Sequence, residues 1–589
     1  MGSGSVLTLG LGWAWVRPPE VSMILESIGP PSRLGKRLQG YPPPLRMADS
    51  PDQPTRNRRP GFLPFGIAAP VGHFNAFAPP EVWLKMLAIA RWRVPPRYWL
   101  RVLGAIVGCA ASLVITLPER LVLAPILRWR FRGAKPTFDH PPGVVIVLGY
   151  FRSGTTHLHN LLSCDARFVT PRWRHCIAPQ GFWLSWTLLR ALLIPFLPNT
   201  RPHDDVPFGP DWPAEDDFAA CNWTLSSSLP GRFVTTEQRE FWARYHTLEG
   251  LSPRELRRWR WTMAAFLWKL SRANPSRPIL LKSPSHLARV DRLVELLGEN
   301  RVKFIHIGRD PEAVIRSNVA MHQRLEPIYG LQDPPAEEET REYLIEEFST
   351  SVERFAAQSA ASGARVARVR YQDLVADPLA ELQRAYAELG LEWSAELAHE
   401  VARYQHEIGT YKAKHTRVQG DAAPREPRLD AIAAELDLDR PAIDPRPLPP
   451  AKGAVTQTRK RAWLALAMTA LLLAAIWIPL AWLLSNRMDV LIWPAGLAIG
   501  LLTIRAARVG SVRLGVAAGL LTFLLYAAIV YPATWLAYGH EWNNPNGDSW
   551  VAIRNGLLTR VGVDHVALAI GVLTAFRAAS RKHLRPPGR

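Results

Sequence analysis

The sequence predicts an α/β protein whose parallel sheet carries helices on both faces, followed by an all-α transmembrane region of about four helices. Three observations carry that prediction. Between about 140 and 410, short β-branched runs alternate with amphipathic helical stretches, which implies strands joined by crossover helices. The run "GVVIVLGY" (143–150) lacks polar alternation, as strands buried on both sides do, and "PILLK" (278–282), "VKFIHIG" (302–308) and "RVARVRY" (365–371) are further strand candidates. From Ala462 onward, by contrast, long uncharged stretches approach the length of a bilayer crossing.

Composition sets bounds on the chemistry. Lys plus Arg number 71 against 51 for Asp plus Glu, a net charge of +20, which suits nucleic acid, phosphorylated cofactors or an anionic membrane. The four cysteines, Cys109, Cys164, Cys176 and Cys221, show neither CxxC pairing nor metal spacing. A disulfide framework is not expected, and the hydrophilic part suits a reducing compartment.

Residues 1–60 are rich in Gly, Pro and Arg without a sustained period, and read as disordered or as sequence upstream of a start at Met47. Within a helical segment at 61–134, "YWLRVLGAIVGCAASLVITLPERLVLAPILRWRFR" (98–132) is apolar but basic at both ends, which favours a helix lying in the membrane interface over a span. "QGFWLSWTLLRALLIPFLPN" (180–199) reads either as a buried core helix or as a surface meeting a membrane or a lipid-like acceptor. Helix starts are legible at Ser252-Pro253-Arg254-Glu255, a capping box with proline at the first helical position, and at Asp310-Pro311.

"VVIVLGYFRSGTTHLHNLL" reads as strand, Gly-containing turn and helix, a P-loop-like arrangement. The N–H groups around Gly154 to Thr156 would meet an anion at the helix N-terminus, with hydroxyls from Ser153, Thr155 and Thr156 as further donors. A Walker A loop requires GxxxxGK[ST]. The spacing from Gly149 to Gly154 fits, but Thr155 stands where lysine belongs, and the cation is Arg152 instead. A P-loop kinase or nucleotide hydrolase is the alternative reading, disfavoured by that missing lysine. A non-catalytic, nucleotide-binding membrane protein is another.

The stretch "RSGTTHL" (152–158) resembles the 5′-phosphosulfate loop of sulfotransferases that use 3′-phosphoadenosine 5′-phosphosulfate (PAPS). The resemblance assigns Arg152 to the bridging oxygen of the leaving phosphate, and Ser153, Gly154, Thr155, Thr156 and His157 to the cofactor loop. "VKFIHIGRDPEAVIRSN" (302–318) is similar to the family's 3′-phosphate element, which implies that Arg309 and Ser317 share that phosphate. "ILLKSPSHL" (279–287) matches the family's strand end, with Lys282 neutralising the transferring group and His286 as base for the acceptor hydroxyl. "RPHDDVPFGPDWPAEDDFA" (201–219) resembles an acceptor-side segment and offers Glu215 as a rival base, with Asp216 a weaker one. "YQDLVADPLAEL" (371–382) and "YKAKHTRVQ" (411–419, with Lys414 and Arg417) also resemble family segments. The likeness covers roughly 135–420. It implies a PAPS-dependent sulfotransferase that needs no metal and takes PAPS rather than nucleic acid as its anionic partner.

A linker is expected over 421–460 and the membrane region over 461–589, with spans near 462–485, 490–504, 514–538 and 561–576. Basic residues cluster before the first span, between the second and third, and after the last. The positive-inside rule then puts the catalytic domain and the C-terminus on the cytoplasmic side of the cytoplasmic membrane. PAPS is made in the cytosol, which agrees. The spans make the expected acceptor a lipid, a lipid-linked molecule or another membrane-associated hydroxyl or amine.

Overall fold

The computed structural model describes residues 77–186 and 206–408, a helix within 426–436, and scattered positions including Asn75, Leu189, Arg201 and Asp204. The expected tail at 1–60, the spans beyond 461, and Lys414 and Arg417 lie outside the described residues.

Among the described residues, four strands form one parallel sheet: β1 (Val144–Leu148), β2 (Ile279–Lys282), β3 (Val302–Gly308) and β4 (Val366–Arg370), in the order β2-β1-β3-β4. Val145 is in register with Leu280 and Lys303, and His306 with Arg368. The period-two alternation of a strand sorts its side chains between two cores. Val144, Ile146, Leu148, Leu281 and Phe304 face the larger one. There they meet helices α5 (Pro253–Ser271), α6 (Val290–Leu297), α7 (Pro311–Tyr329) and α8 (Glu337–Ala361). Val145, Val147, Leu280, Ile305 and Val369 face the other, against α3 (Thr155–Leu162), α9 (Pro378–Glu388) and α10 (Ala395–Ile408). Both faces are thus covered, which is why β1 carries no polar residue. The capping box forms as expected, the Ser252 side chain accepting from the Glu255 N–H. Asp310 likewise caps α7 by accepting from the Ala313 N–H.

The stretch assigned to a linker holds a further helix, α11 (Pro427–Glu435), whose buried Leu429 and Ile432 join the larger core. Those two apolar positions, one turn apart, give the segment a reason to dock that its Pro- and Asp-rich flanks obscure.

Among the described residues, two α-helices precede the sheet: α1 (Pro80–Ile89) and α2 (Trp99–Arg130). Helix α2 is arranged the reverse of a water-soluble surface helix. Arg101, Ala105, Cys109, Ser112, Thr116, Glu119, Leu123 and Leu127, at helical spacing, are buried along one stripe. Trp99, Leu103, Val107, Val114, Leu121, Ile126 and Trp129 are exposed. The buried charges have partners: Arg101 donates to the Pro327 carbonyl at 3.0 Å, and Lys269 reaches Glu119 at 3.1 Å. Glu119 also accepts from the N–H groups of Trp183, Leu184 and Ser185. That tie holds the front of the 180–199 segment on α2, with Phe182 buried and Leu184 exposed. At 32 residues α2 is ~48 Å long, well over a bilayer core.

Candidate active site

The functional residues expected from sequence gather at the carboxyl ends of β1, β2 and β3, where open α/β sheets bind ligands. After β1 the chain turns through Gly149 and enters α3 at Gly154, whose φ is +102°. A β-carbon there would lie 2.4 Å from Cδ2 of Tyr371, so neither the backbone angle nor the space admits a side chain. No side chain caps α3. Its first N–H groups, which have no intrahelical acceptor, stand at the positive end of the helix dipole.

Arg152 itself adopts a left-handed φ of +69°, a conformation uncommon outside glycine, at the residue assigned to the leaving group. Several contacts hold it there. The Arg309 guanidinium donates to the Arg152 carbonyl at 2.9 Å and stacks 4.4 Å above the Tyr371 ring. Asn318 donates to the Phe151 carbonyl, and the Arg232 guanidinium lies 3.7 Å from the centroid of the Phe151 ring. Arg232 pairs with Glu347, which also accepts from the Tyr150 hydroxyl at 2.7 Å.

The two expected phosphate elements touch. Arg152 Nε donates to Ser317 Oγ at 3.1 Å, across the β1–β3 boundary. Its Nη1 donates to Asp204 at 2.8 Å, and Arg201 holds the other side of the same carboxylate. Arg201 also approaches Thr156 Oγ1, at 3.5 Å. Lys282, at the end of β2, lies 3.4 Å from Thr156 Oγ1 and donates to Glu215 at 2.6 Å. Burial pulls the Lys282 ammonium below its ordinary pKa, and Glu215 beside it pulls partly the other way. Ser153 turns inward to donate to the Tyr150 carbonyl, bracing the loop. His157, one turn into α3, is pushed down to about 4 by loss of solvent, so it is neutral at physiological pH.

His286 and Glu215 occupy different settings. His286 Nε2 is 2.6 Å from Asp216, and neither side chain has any solvent exposure. Its Nδ1 has no hydrogen-bond partner among the described residues. Ser283 Oγ donates to Asp216 at 3.0 Å and accepts from the Asp217 N–H. Burial would raise the Asp216 carboxyl, but His286 and Ser283 together outweigh it and hold the carboxyl low. The result is a knot tying the start of helix α4 (Asp216–Thr224) to the end of β2. Glu215, one residue before that helix, remains partly open, its side chain 16% exposed.

A sulfotransferase family model matches residues 142–395, the span that contains all of these groups. Omega-hydroxy-beta-dihydromenaquinone-9 sulfotransferase Stf3 of Mycobacterium tuberculosis is 30% identical over 322 residues, covering 53% of this chain and 77% of that relative. The same protein of Mycobacterium bovis matches equally. The chain belongs to the sulfotransferase family. Among solved structures, sulfotransferase STF1 of Mycobacterium tuberculosis aligns with TM-score 0.44 and 16% identity over 63% of this sulfotransferase and 95% of that one. Sulfotransferase STF9 of Mycobacterium avium gives 0.45 and 16%, over 63% and 93%.

Sequence reasoning missed Arg201, Asp204 and the platform under Arg309. Arg201 and Asp204 lie inside the acceptor-side segment, and their spacing of three is the signal a closer reading would use. Tyr371 begins the stretch after β4, but only the Gly154 contact reveals its role.

Proposed function

We propose that this sulfotransferase moves the sulfuryl group of PAPS to a hydroxyl or amine of a lipid or lipid-linked acceptor at the cytoplasmic membrane, its catalytic domain facing the cytoplasm. The observation that carries the donor assignment is the junction of Arg152, Ser317 and Arg309 above a glycine loop too tight for any side chain. Two cationic anion-binding elements that touch suit a nucleotide with phosphates at both 3′ and 5′ positions. The Asp204 carboxylate, held by Arg152 and Arg201, already occupies the environment an anionic oxygen of the donor would take. The acceptor assignment draws on the Stf3 relatives, whose name gives a hydroxylated menaquinone derivative, and on the exposed apolar face of α2. The uncharged stretches beyond 461 would make the protein integral to the membrane.

In this scheme the acceptor oxygen or nitrogen attacks sulfur in line with the bridging oxygen. The bond from sulfur to that oxygen breaks, and 3′-phosphoadenosine 5′-phosphate leaves with the bonding pair. Arg152 and the N–H groups of Gly154 to Thr156 stabilise the charge gathering on the leaving phosphate. Lys282 stabilises the equatorial sulfuryl oxygens. Glu215 takes the acceptor proton, because it is beside Lys282 and open to the cleft. His286 and Asp216 act as positioning residues, fixing the strand end and the helix start from which Lys282 and Glu215 project. Positioning and charge do most of the work, as in phosphoryl transfer.

Calorimetric titration tests the donor. The protein should bind 3′-phosphoadenosine 5′-phosphate in preference to ATP with magnesium, and Arg309→Ala should weaken that binding roughly 10- to 100-fold, the worth of a charge-assisted contact. A preference for ATP would return the loop to the kinases. Asp204→Asn should tighten the same binding by about tenfold, since a carboxylate repels the incoming phosphate. Unchanged or weaker binding would mean that Asp204 organises the arginines rather than competing for them.

A further inference from the structure

Helices α1, α2, α4 and α5 border an open cavity of about 360 Å³ that takes no part in the catalytic scheme. Its lining combines two chemistries. Lys85, Arg120, Arg128 and Arg258 border it against a single carboxylate, Glu81. That is four positive charges to one negative. Arg120 Nη2 donates to Glu81 at 3.1 Å. The rest of the lining is largely apolar: Leu123 and Leu127 of α2, between Arg120 and Arg128, with the rings of Trp223 and Trp261, whose centroids are 5.4 Å apart. A site that sets cationic groups among aromatic and aliphatic ones matches an amphiphile with an anionic head.

The source of that amphiphile is set by the neighbouring surface. Arg120, Leu123 and Arg128 belong to the same helix as the exposed Leu121, Val122 and Trp129, which are 67%, 57% and 68% accessible. A helix turned apolar side outward, with Arg91, Arg93 and Arg97 before it and Arg128, Arg130 and Arg132 at its end, is built to lie on an anionic bilayer. The cavity then sits at headgroup depth beside it. Helix α4 links the cavity to the catalytic cleft: Trp223 lines the former and Glu215 borders the latter, eight residues or ~12 Å along the axis. A molecule in the cavity is thus held near the chemistry without reaching it.

We propose that this cavity binds the phosphodiester headgroup of an anionic phospholipid, distinct from the acceptor, and so holds the cleft at the surface of the leaflet. The inference rests on the reading that α2 lies in the bilayer surface. The test uses the full chain in a non-ionic detergent, titrated with dihexanoyl phosphatidylglycerol. The comparison compounds are dihexanoyl phosphatidylcholine and glycerol 3-phosphate, and binding is followed by tryptophan fluorescence and calorimetry. Phosphatidylglycerol should bind at least tenfold more tightly than either comparison compound, and Arg120→Gln with Arg258→Gln should weaken it by tenfold or more.

Equal affinity for phosphatidylcholine would overturn the proposal by showing that headgroup charge is not read. Equal affinity for glycerol 3-phosphate would overturn it in favour of a free-phosphate site, and unaltered binding in the double variant would remove the cavity from consideration. Retained binding of 3′-phosphoadenosine 5′-phosphate shows that the double variant is folded. If that binding is lost, Arg128→Gln at an exposed position decides the matter, with about threefold weakening expected and no change overturning the proposal. Failure of the α2 reading has a separate signature: quenching of Trp99 and Trp129 by brominated lipid vesicles would be absent while phosphatidylglycerol still bound.

Discussion

Lys282→Met is expected to lower kcat by about 10²- to 10³-fold, the usual cost of removing one preorganised donor to developing charge. The Lys282 ammonium is buried at the end of β2, 2.6 Å from Glu215 and 3.4 Å from Thr156 Oγ1. Methionine keeps the length and the apolar stem, so the strand end should pack as before. Binding of 3′-phosphoadenosine 5′-phosphate should change by no more than a few-fold, because that product lacks the sulfuryl group that Lys282 serves. The split is what identifies the role. A variant that loses nucleotide binding in proportion to kcat would make Lys282 a phosphate ligand of the loop instead. A variant with near-normal turnover would remove it from the mechanism. The charge state adds a check. Burial holds the Lys282 ammonium below its ordinary pKa, so wild-type kcat should fall on the alkaline side at a lower pH than an exposed lysine would allow. That limb should be missing in Lys282→Met.

Some of this was legible in the sequence, for identifiable reasons. The four strands were, nearly to the residue, because strands in a covered sheet favour short β-branched, apolar runs, of which "VVIVL" is the clearest, while "VKFIHIG" carries Lys303 and His306 as its polar positions. The loop was legible because tight backbone geometry demands Gly154 and exposed helix N–H groups invite an anion. Arg152 and Ser317 were each nameable from their local motifs. Their direct contact was not, since it depends on β3 lying beside β1. The same limit applied to the candidate bases, since nothing local ranks Glu215 against His286. Adjacent in sequence, Glu215 and the weaker candidate Asp216 part company only in the fold. A helix start separates them, turning Asp216 inward to His286 and leaving Glu215 at the cleft. Helix α2 shows the converse case. Its apolar composition was plain, but only packing reveals that the polar positions Arg101, Ser112, Thr116 and Glu119 are the buried ones.

Separating Glu215 from His286 as the proton acceptor depends on what each substitution leaves behind. Glu215→Gln keeps the shape, and is expected to reduce turnover by about 10²- to 10⁴-fold, the range for a general base, with nucleotide binding retained. It also withdraws the negative charge that raises the Lys282 pKa, so the alkaline limb of the residual activity should move to lower pH. His286→Ala acts through the fold. It strands the Asp216 carboxylate, fully buried, with Ser283 as its remaining side-chain partner, and breaking such a pair costs roughly 3–5 kcal/mol. Its expected signature is therefore a lowered Tm, with activity partly restored by His286→Gln, whose amide can still donate to Asp216. A base cannot be rescued in that way. If His286→Gln is as inactive as His286→Ala while its Tm recovers, and Glu215→Gln keeps the acid-side limb of the pH profile, then the unpaired Nδ1 of His286 is the proton acceptor. The cleft must in that event open around it during turnover, because nothing in the closed packing lets an acceptor reach a ring with no exposure.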